Sequence, residues 1–169
     1  MTSAPRAQCR RVLVTHSYYL HYDPKQVRRM KPYAPLGTLL AAAHVRQLGF
    51  DVHFFDAMLS AGVHEFIPVL DSADPLVVGI LEDNFNFLTK MCTLRMREAA
   101  YEMIAHAKAR GFRVVVNGSD ASDHAELYLA AGADAVIVGA VEPAFAELCE
   151  LWTRDMDAAA TSVSGLALR

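Results

Sequence analysis

Six consecutive residues, Glu82-Asp83-Asn84-Phe85-Asn86-Phe87, combine two carboxylates, two amides and two phenylalanines. That mixture sets hydrogen-bonding groups beside apolar platforms, as a large, amide-fringed cofactor requires of its site. The same run also suits a solvated loop whose phenylalanines fold back into the core. A second stretch, Asn117-Gly118-Ser119-Asp120, places a glycine among small polar residues, where backbone could approach a flat or phosphorylated ligand closely. Taken alone, it is read first as an ordinary turn leading into a helix.

Other chemistries lose their motif. There are seven histidines. His44, His53, His64 and His106 fall inside elements of regular structure, and His16, His21 and His124 lie near strand ends without H-E-x-x-H or another ligand spacing, so no protein-built metal centre is expected. Ser119, His16 and Asp83 could be assembled into a triad only on paper, because no nucleophile elbow G-x-S-x-G is present. Neither G-x-G-x-x-G after the first strand nor G-x-x-x-x-G-K-[ST] occurs. Cys9, Cys92 and Cys149 lie far apart and indicate neither a disulfide framework nor zinc. Arg28, Arg29 and Lys31 could meet a phosphate or a partner domain, but a solvated loop is the first reading.

The elements that must position these loops alternate. Arg11 to Ser17, Asp51 to Asp56, Leu76 to Leu81, Val114 to Val116 and Ala135 to Val138 are short, β-branched or apolar runs bounded by turn residues, hence five strands, the last two of them buried. Between them, Pro35 starts a helix that Gly49 ends, and Met96, Ala100, Met103, Ile104 and Ala107 give the longest helix its apolar face. Val63 to Leu70 should be the second crossover, although Pro68 breaks it unless the helix starts late. Ser122 or Asp123 can cap the helix after the fourth strand, with Glu126 in capping-box spacing of Asp123. Phe145, Leu148, Cys149 and Trp152 fall on one face of the last helix, which Pro143 opens. Tyr18 to Ala34, about 17 residues without periodicity, is longer than most such connections and reads as part of a binding rim.

Strict alternation predicts an α/β fold: a Rossmann-like or flavodoxin-like open sandwich on a five-stranded parallel sheet of order 2-1-3-4-5. Its switch point lies between the first and third strands. Loops His16 to Tyr22, Glu82 to Phe87, Asn117 to Ser122 and Gly139 to Glu142 then converge on one edge. Residues 1–10 read as a polar leader, 11–152 as the folded domain and 153–169 as a linker-like tail. An apolar content of 53% supplies a core, while a net charge of -3 gives no electrostatic reason to expect nucleic acid or an acidic membrane surface. No apolar stretch reaches the roughly 18 residues of a spanning helix, and MTSAPRAQCRR has no signal-peptide core, so a cytoplasmic location is expected.

Four segments together resemble the amino-terminal cobalamin-binding domain of cobalamin-dependent radical SAM enzymes: VTHSYYLHYDP, KPYAPLGTLLAAAHVRQLGFDVHFFDA, GILEDNFNFLTKMCTLRMREAA and VVVNGSDASDHAELYLAAGADAVIVG. The likeness covers residues 10–152, and its specificity lies in the order and spacing of the segments. In that family a corrin lies across the carboxyl edge of the sheet and its nucleotide tail runs into it. Leu36 and Gly37 match the family's P-L-G helix start, Asn117 and Gly118 its glycine loop, and Gly139 to Glu142 its usual G-E-G-E turn. The resemblance therefore implies cobalamin contacts from His16, Ser17 and Tyr18, from Leu36 and Gly37, from Glu82, Asp83, Asn84 and Phe85, from Asn117 to Asp120, and from Gly139, Ala140 and Glu142. Gly118 is expected to be where backbone and cofactor come closest.

Three departures shape what the resemblance implies. Gly139-Ala140-Val141-Glu142 keeps the first glycine and last glutamate of its turn but not the middle pair. The D-x-H-x-x-G motif that puts a histidine on cobalt fails, since Val14 and Tyr19 flank His16 at its aspartate and glycine positions, so cobalamin bound base-off without a protein histidine on cobalt is implied. The C-x-x-x-C-x-x-C motif of the iron-sulfur cluster is absent, and Gly165 to Arg169 looks like the join to the family's catalytic domain. The chain is accordingly expected to be a cobalamin-binding module and not by itself an enzyme, its catalytic radical SAM partner missing or on another chain, with no nucleic acid or membrane partner. A small transferase binding a nucleotide or S-adenosylmethionine at the same edge, and a degenerate interaction domain that binds nothing, are the alternatives.

Overall fold

The computed structural model describes residues 10–82 and 93–168. Five β-branched or apolar runs form the parallel part of the sheet: β1 (Arg11–Thr15), β2 (Asp51–Phe55), β3 (Val77–Leu81), β4 (Arg113–Asn117) and β5 (Ala135–Ile137). A sixth strand, β6 (Leu166–Leu168), runs antiparallel to β5, and the spatial order is β2-β1-β3-β4-β5-β6. The expected order of the first five strands holds, and with it the switch point between β1 and β3. The expectation of five strands falls one short. The sixth comes from the segment read as linker-like, where Leu166 pairs with Ile137 and Leu168 with Ala135. Three residues of strand in a stretch rich in Asp, Ala and Ser leave too short an apolar run to register as periodic.

The inner strands β1, β3, β4 and β5 are buried on both faces, as a parallel sheet requires, whereas β2 at the edge leaves Asp51 and Phe54 exposed. Their side chains alternate between two cores. Leu13, Val78, Ile80, Val114, Val116 and Val136 join α3 (Phe66–Ala73) and α4 (Thr93–Ala109) on one side. Val12, Val14, Val77, Val115 and Ile137 join α2 (Leu36–Gln47) and α7 (Val141–Arg154) on the other. Gly79 stands within β3 because a side chain has no room there: a Cβ would lie 2.6 Å from the ring of Phe145, which packs against the strand.

Two helices depart from expectation. Pro68 is accommodated because α3 begins only at Phe66, after a 3-10 turn at Val63–Glu65, so the proline sits in the first turn, where its missing N–H is not needed. After β4 the chain turns at once: α5 (Ser119–Asp123) starts from Gly118 and ends at His124, and α6 (Ala125–Ala130) follows. The capping box from Ser122 or Asp123 to Glu126 therefore does not form, and Ser122 Oγ instead donates to Gly118 O. Between β1 and α2 the long connection holds a 3-10 turn at Leu20–Tyr22 and the short α1 (Pro24–Val27), whose first amides are capped by Asp23. Among the described residues no helix is long and apolar enough to cross a membrane.

Candidate functional site

Parallel registry places the strand ends side by side, and it does the same for the residues that follow them. Thr15 lies opposite Phe55, so His16 follows beside Asp56. The ring nitrogen Nε2 of His16 donates to Asp56 Oδ1 at 3.0 Å, while Nδ1 accepts from the backbone N–H of Tyr18 at 3.3 Å. That second bond fixes the tautomer, because a ring nitrogen that accepts carries no proton. Both nitrogens of this buried ring are thus engaged. Thr15 lies opposite Ile80 on its other flank, which brings Ser17 to Glu82, and Glu82 Oε1 accepts from Ser17 N at 2.8 Å and from Ser17 Oγ at 2.5 Å. Leu81 pairs with Asn117, so Glu82 in turn comes beside Gly118. Side chains accordingly stitch the carboxyl ends of β2, β1 and β3 in sheet order, and the backbone bond from Glu82 N to Asn117 O carries the seam on to β4.

Gly118 is the thinnest point of that seam. Its backbone is at φ 157° and ψ 163°, and a Cβ would lie 2.9 Å from Cγ of Glu82 and 3.0 Å from its Cβ. The space above the glycine is therefore already bounded by the chain itself. Asn117 closes the next joint, its side-chain amide donating to Ile137 O at 3.0 Å. On the helix side, Thr38 Oγ1 donates to Leu81 O at 2.6 Å and holds the start of α2, with Leu36 and Gly37, at the end of β3.

Beneath the seam runs a slot of about 380 Å³, including the part open to solvent. Its mouth is polar, formed by Ser17, Glu82, Ser119 and Asp120; Met96, Ala100, Val116, Ala121 and Tyr128 make its walls apolar. Asp120 is held by both nitrogens of a fork from Arg97, at 2.8 and 2.5 Å, and by Tyr128 Oη at 2.6 Å. Burial pushes the Asp120 carboxyl up, but the hydrogen bonds from Arg97 and Tyr128 outweigh it, leaving the group below the usual carboxylate range. Desolvation first, and then the bond to Asp120, pushes the Tyr128 phenol well above its ordinary value. Both groups hold their charge states across the neutral range, so the ion pair between Asp120 and Arg97 is fixed there.

Of the residues singled out from the sequence, Ser17, Glu82, Ser119 and Asp120 line this slot, and His16, Asn117 and Gly118 support it. Tyr18 turns away: it is 1% exposed, packed with Leu20, Met58 and Met96. Leu36 is exposed at the helix start, and Gly139 and Ala140 are exposed after β5; these residues, with Gly37 and Glu142, do not line the slot. Gly139, at φ 104°, has open space where a Cβ would be. Asp83, Asn84 and Phe85 lie outside the described residues.

Sequence reasoning did not assign a site role to Asp56, Arg97 or Tyr128. Asp56 was recoverable, since neighbouring parallel strands of equal length put their next residues together. Arg97 and Tyr128 had no such signal, because they come from helices whose phases relative to Asp120 are set only by packing. Among the described residues no group of three or more His, Cys, Asp or Glu gathers as a metal site. Compared with known proteins, the model of the B12 binding domain matches residues 29–149. No curated protein matches the chain.

Proposed function

The chain belongs to the B12 binding domain family, and on that premise we propose that it is a module holding cobalamin across the carboxyl edge of the sheet, with the nucleotide tail directed into the slot between β1, β3 and β4. The observation that carries the reading is the slot itself. Apolar walls from Met96, Ala100, Val116 and Tyr128 suit the flat base of such a tail, and polar groups at the mouth suit its sugar and phosphate. The slot is far too small for a corrin ring, which is left for the open edge above. When bound, the corrinoid supplies cobalt-centred group-transfer chemistry. The residues of this chain bind and orient it: Ser17 and Ser119 make the mouth polar, Gly118 keeps the backbone low, and Arg97 fixes Asp120 so that the mouth keeps its shape.

Cobalamin is held base-off, with no protein histidine on cobalt. The engagement of both His16 nitrogens, by Asp56 and by Tyr18 N–H, supports this, as does the failed D-x-H-x-x-G pattern. No iron-sulfur cluster belongs to this chain, whose three cysteines lack the C-x-x-x-C-x-x-C spacing. The partner we propose is a radical SAM catalytic domain that takes the upper face of the corrin. Arg28, Arg29 and Lys31, exposed in the connection between β1 and α2, give an acidic partner surface somewhere to dock.

Incubation of the purified protein with hydroxocobalamin, gel filtration and an absorption spectrum test the reading. Co-elution with a base-off spectrum is expected, and failure of cobalamin to co-elute overturns it. Nitrogen hyperfine coupling in the EPR spectrum of the cob(II)alamin complex, if lost on His16→Ala, would refute the absence of a histidine ligand.

A further inference from the structure

Nine large apolar side chains are left exposed among the described residues, and four of them, Leu36, Leu40, Leu48 and Phe54, lie on or beside the outer side of α2. The inner side of this helix is conventional, burying Thr38, Ala41, Ala42 and Val45. Its outer side is not polar. Leu36, Leu40, His44 and Leu48 follow at intervals of four, which makes them a single ridge along the helix. Leu36 is 54% exposed, Leu40 46% and Leu48 44%, and no charged side chain occurs from Leu36 to Val45. A helix apolar all round is one that something covers on both sides. Hollows flank the ridge. On the α7 side, Leu48, Ala146 and Leu151 line one that holds Glu147; on the β2 side, Leu39, Ala43 and Phe54 line another that holds Arg46. Arg46 and Glu147 are both exposed, and neither makes an ion pair among the described residues.

From this we infer that the outer face of α2 is where two copies of this chain associate about a two-fold axis. The occupant of such a face must bring an apolar ridge for the hollows, hollows for the ridge, an acid for Arg46 and a base for Glu147. A second copy brings all four, because ridge and hollows lie side by side and a two-fold interface sets the same patch on both partners. Charge selects the arrangement. α2 itself contains no acidic residue, so Arg46 finds its counterpart only on α7. A two-fold axis running along α2 exchanges the flanks, laying the β2-side hollow of one copy over the α7-side hollow of the other. Arg46 of each copy then faces Glu147 of the other, at the rim of a centre made by Leu40 and its equivalent. An apolar centre inside a polar rim is the ordinary anatomy of a specific interface. The slot lies on the opposite side of the sheet, with α4, and the association is independent of the cobalamin reading.

Sedimentation velocity of the full chain from about 1 to about 500 μM tests the association, since a self-associating chain shifts with its own concentration. The weight-average mass should rise from 18.6 kDa toward twice that value. Leu40→Glu, a helix-forming replacement at an exposed position, should leave the melting curve in place and weaken association roughly tenfold or more. Arg46→Glu and Glu147→Arg should each weaken it roughly tenfold by setting like charges together across the axis. The two combined in one chain should restore it, because the exchanged charges then meet their opposites again. A chain that stays monomeric throughout overturns the inference and leaves the ridge to a different protein. A dimer that Leu40→Glu does not weaken, or that the combined charge exchange does not restore, overturns it as well.

Discussion

Gly118→Ala should destabilise the ligand-free protein, before any corrinoid is added. The new methyl carbon would lie 2.9 Å from Cγ of Glu82 and 3.0 Å from its Cβ, closer than carbon atoms pack. Two adjustments are open to the chain. Glu82 can swing away, giving up the bonds from Ser17 N and Oγ, and each hydrogen bond to a charged group contributes about 1.5–3 kcal/mol. Alternatively α5 shifts and carries the backbone away from Glu82. An alanine held near φ 157° and ψ 163° costs about 1–3 kcal/mol under either adjustment, so the loss is at least that, which for a domain of this size lowers Tm by roughly 2–12 °C. Thermal melting followed by circular dichroism measures it. In a Glu82→Ala background the Cγ contact is gone and the loss should shrink. An unchanged apo Tm combined with abolished cobalamin binding would refute this reasoning, because the methyl would then exclude the ligand without touching the seam.

Three further outcomes follow from the packing and electrostatics. Gly79→Ala should cost about 1–3 kcal/mol, since the added carbon meets the Phe145 ring at 2.6 and 2.9 Å; denaturant unfolding checks it, and Phe145→Leu should recover part of the loss. The folded-state pKa of Asp120 is lowered, so its contribution is complete above the ordinary aspartate value of about 3.9 and is lost as pH falls through the folded value. Asp120→Asn should therefore remove about 1–3 kcal/mol at neutral pH and less in acid, read from urea midpoints at both. Anaerobic reconstitution with iron and sulfide should give no four-iron absorption, because Cys149 is buried with its thiol pushed far up by desolvation and the other two cysteines lie far from it in sequence; a stable cluster would contradict this.

The strand order was legible because continuous apolar runs such as Val114 to Val116 permit only a two-sided burial, and alternation with helices permits only parallel crossovers. The late start of α3 was legible too, since Pro68 forbids anything earlier. The site was legible to the extent that strand ends specify it: Ser17, Glu82 and Gly118 stand together through registry alone. What escaped was whatever depends on side-chain direction. Tyr18 follows Ser17 in sequence yet points into the core with Met58 and Met96, and Arg97 reaches Asp120 only because α4 crosses β4 at a particular phase. Composition hid β6 as well. Its pairing is dictated by the exposed flank of β5, which no local window contains.

That sixth strand changes how the molecule meets its neighbours in a crowded solution. Each of the three residues of β5 is fully buried, and without Leu166–Leu168 this short apolar strand would present open amides and carbonyls to any passing chain. The reversed direction of β6 matters here. A parallel addition needs a long crossover, whereas an antiparallel one is made by a chain that simply turns back, as this chain does where Val138 N–H meets Gly165 O at 2.7 Å. The opposite flank, β2, is guarded differently, by an exposed Asp51 and the partly exposed His53 beside it. One edge of the sheet is thus covered by β6 and the other carries polar side chains, and loss of β6 by proteolysis would open β5 to pairing with the strands of other chains.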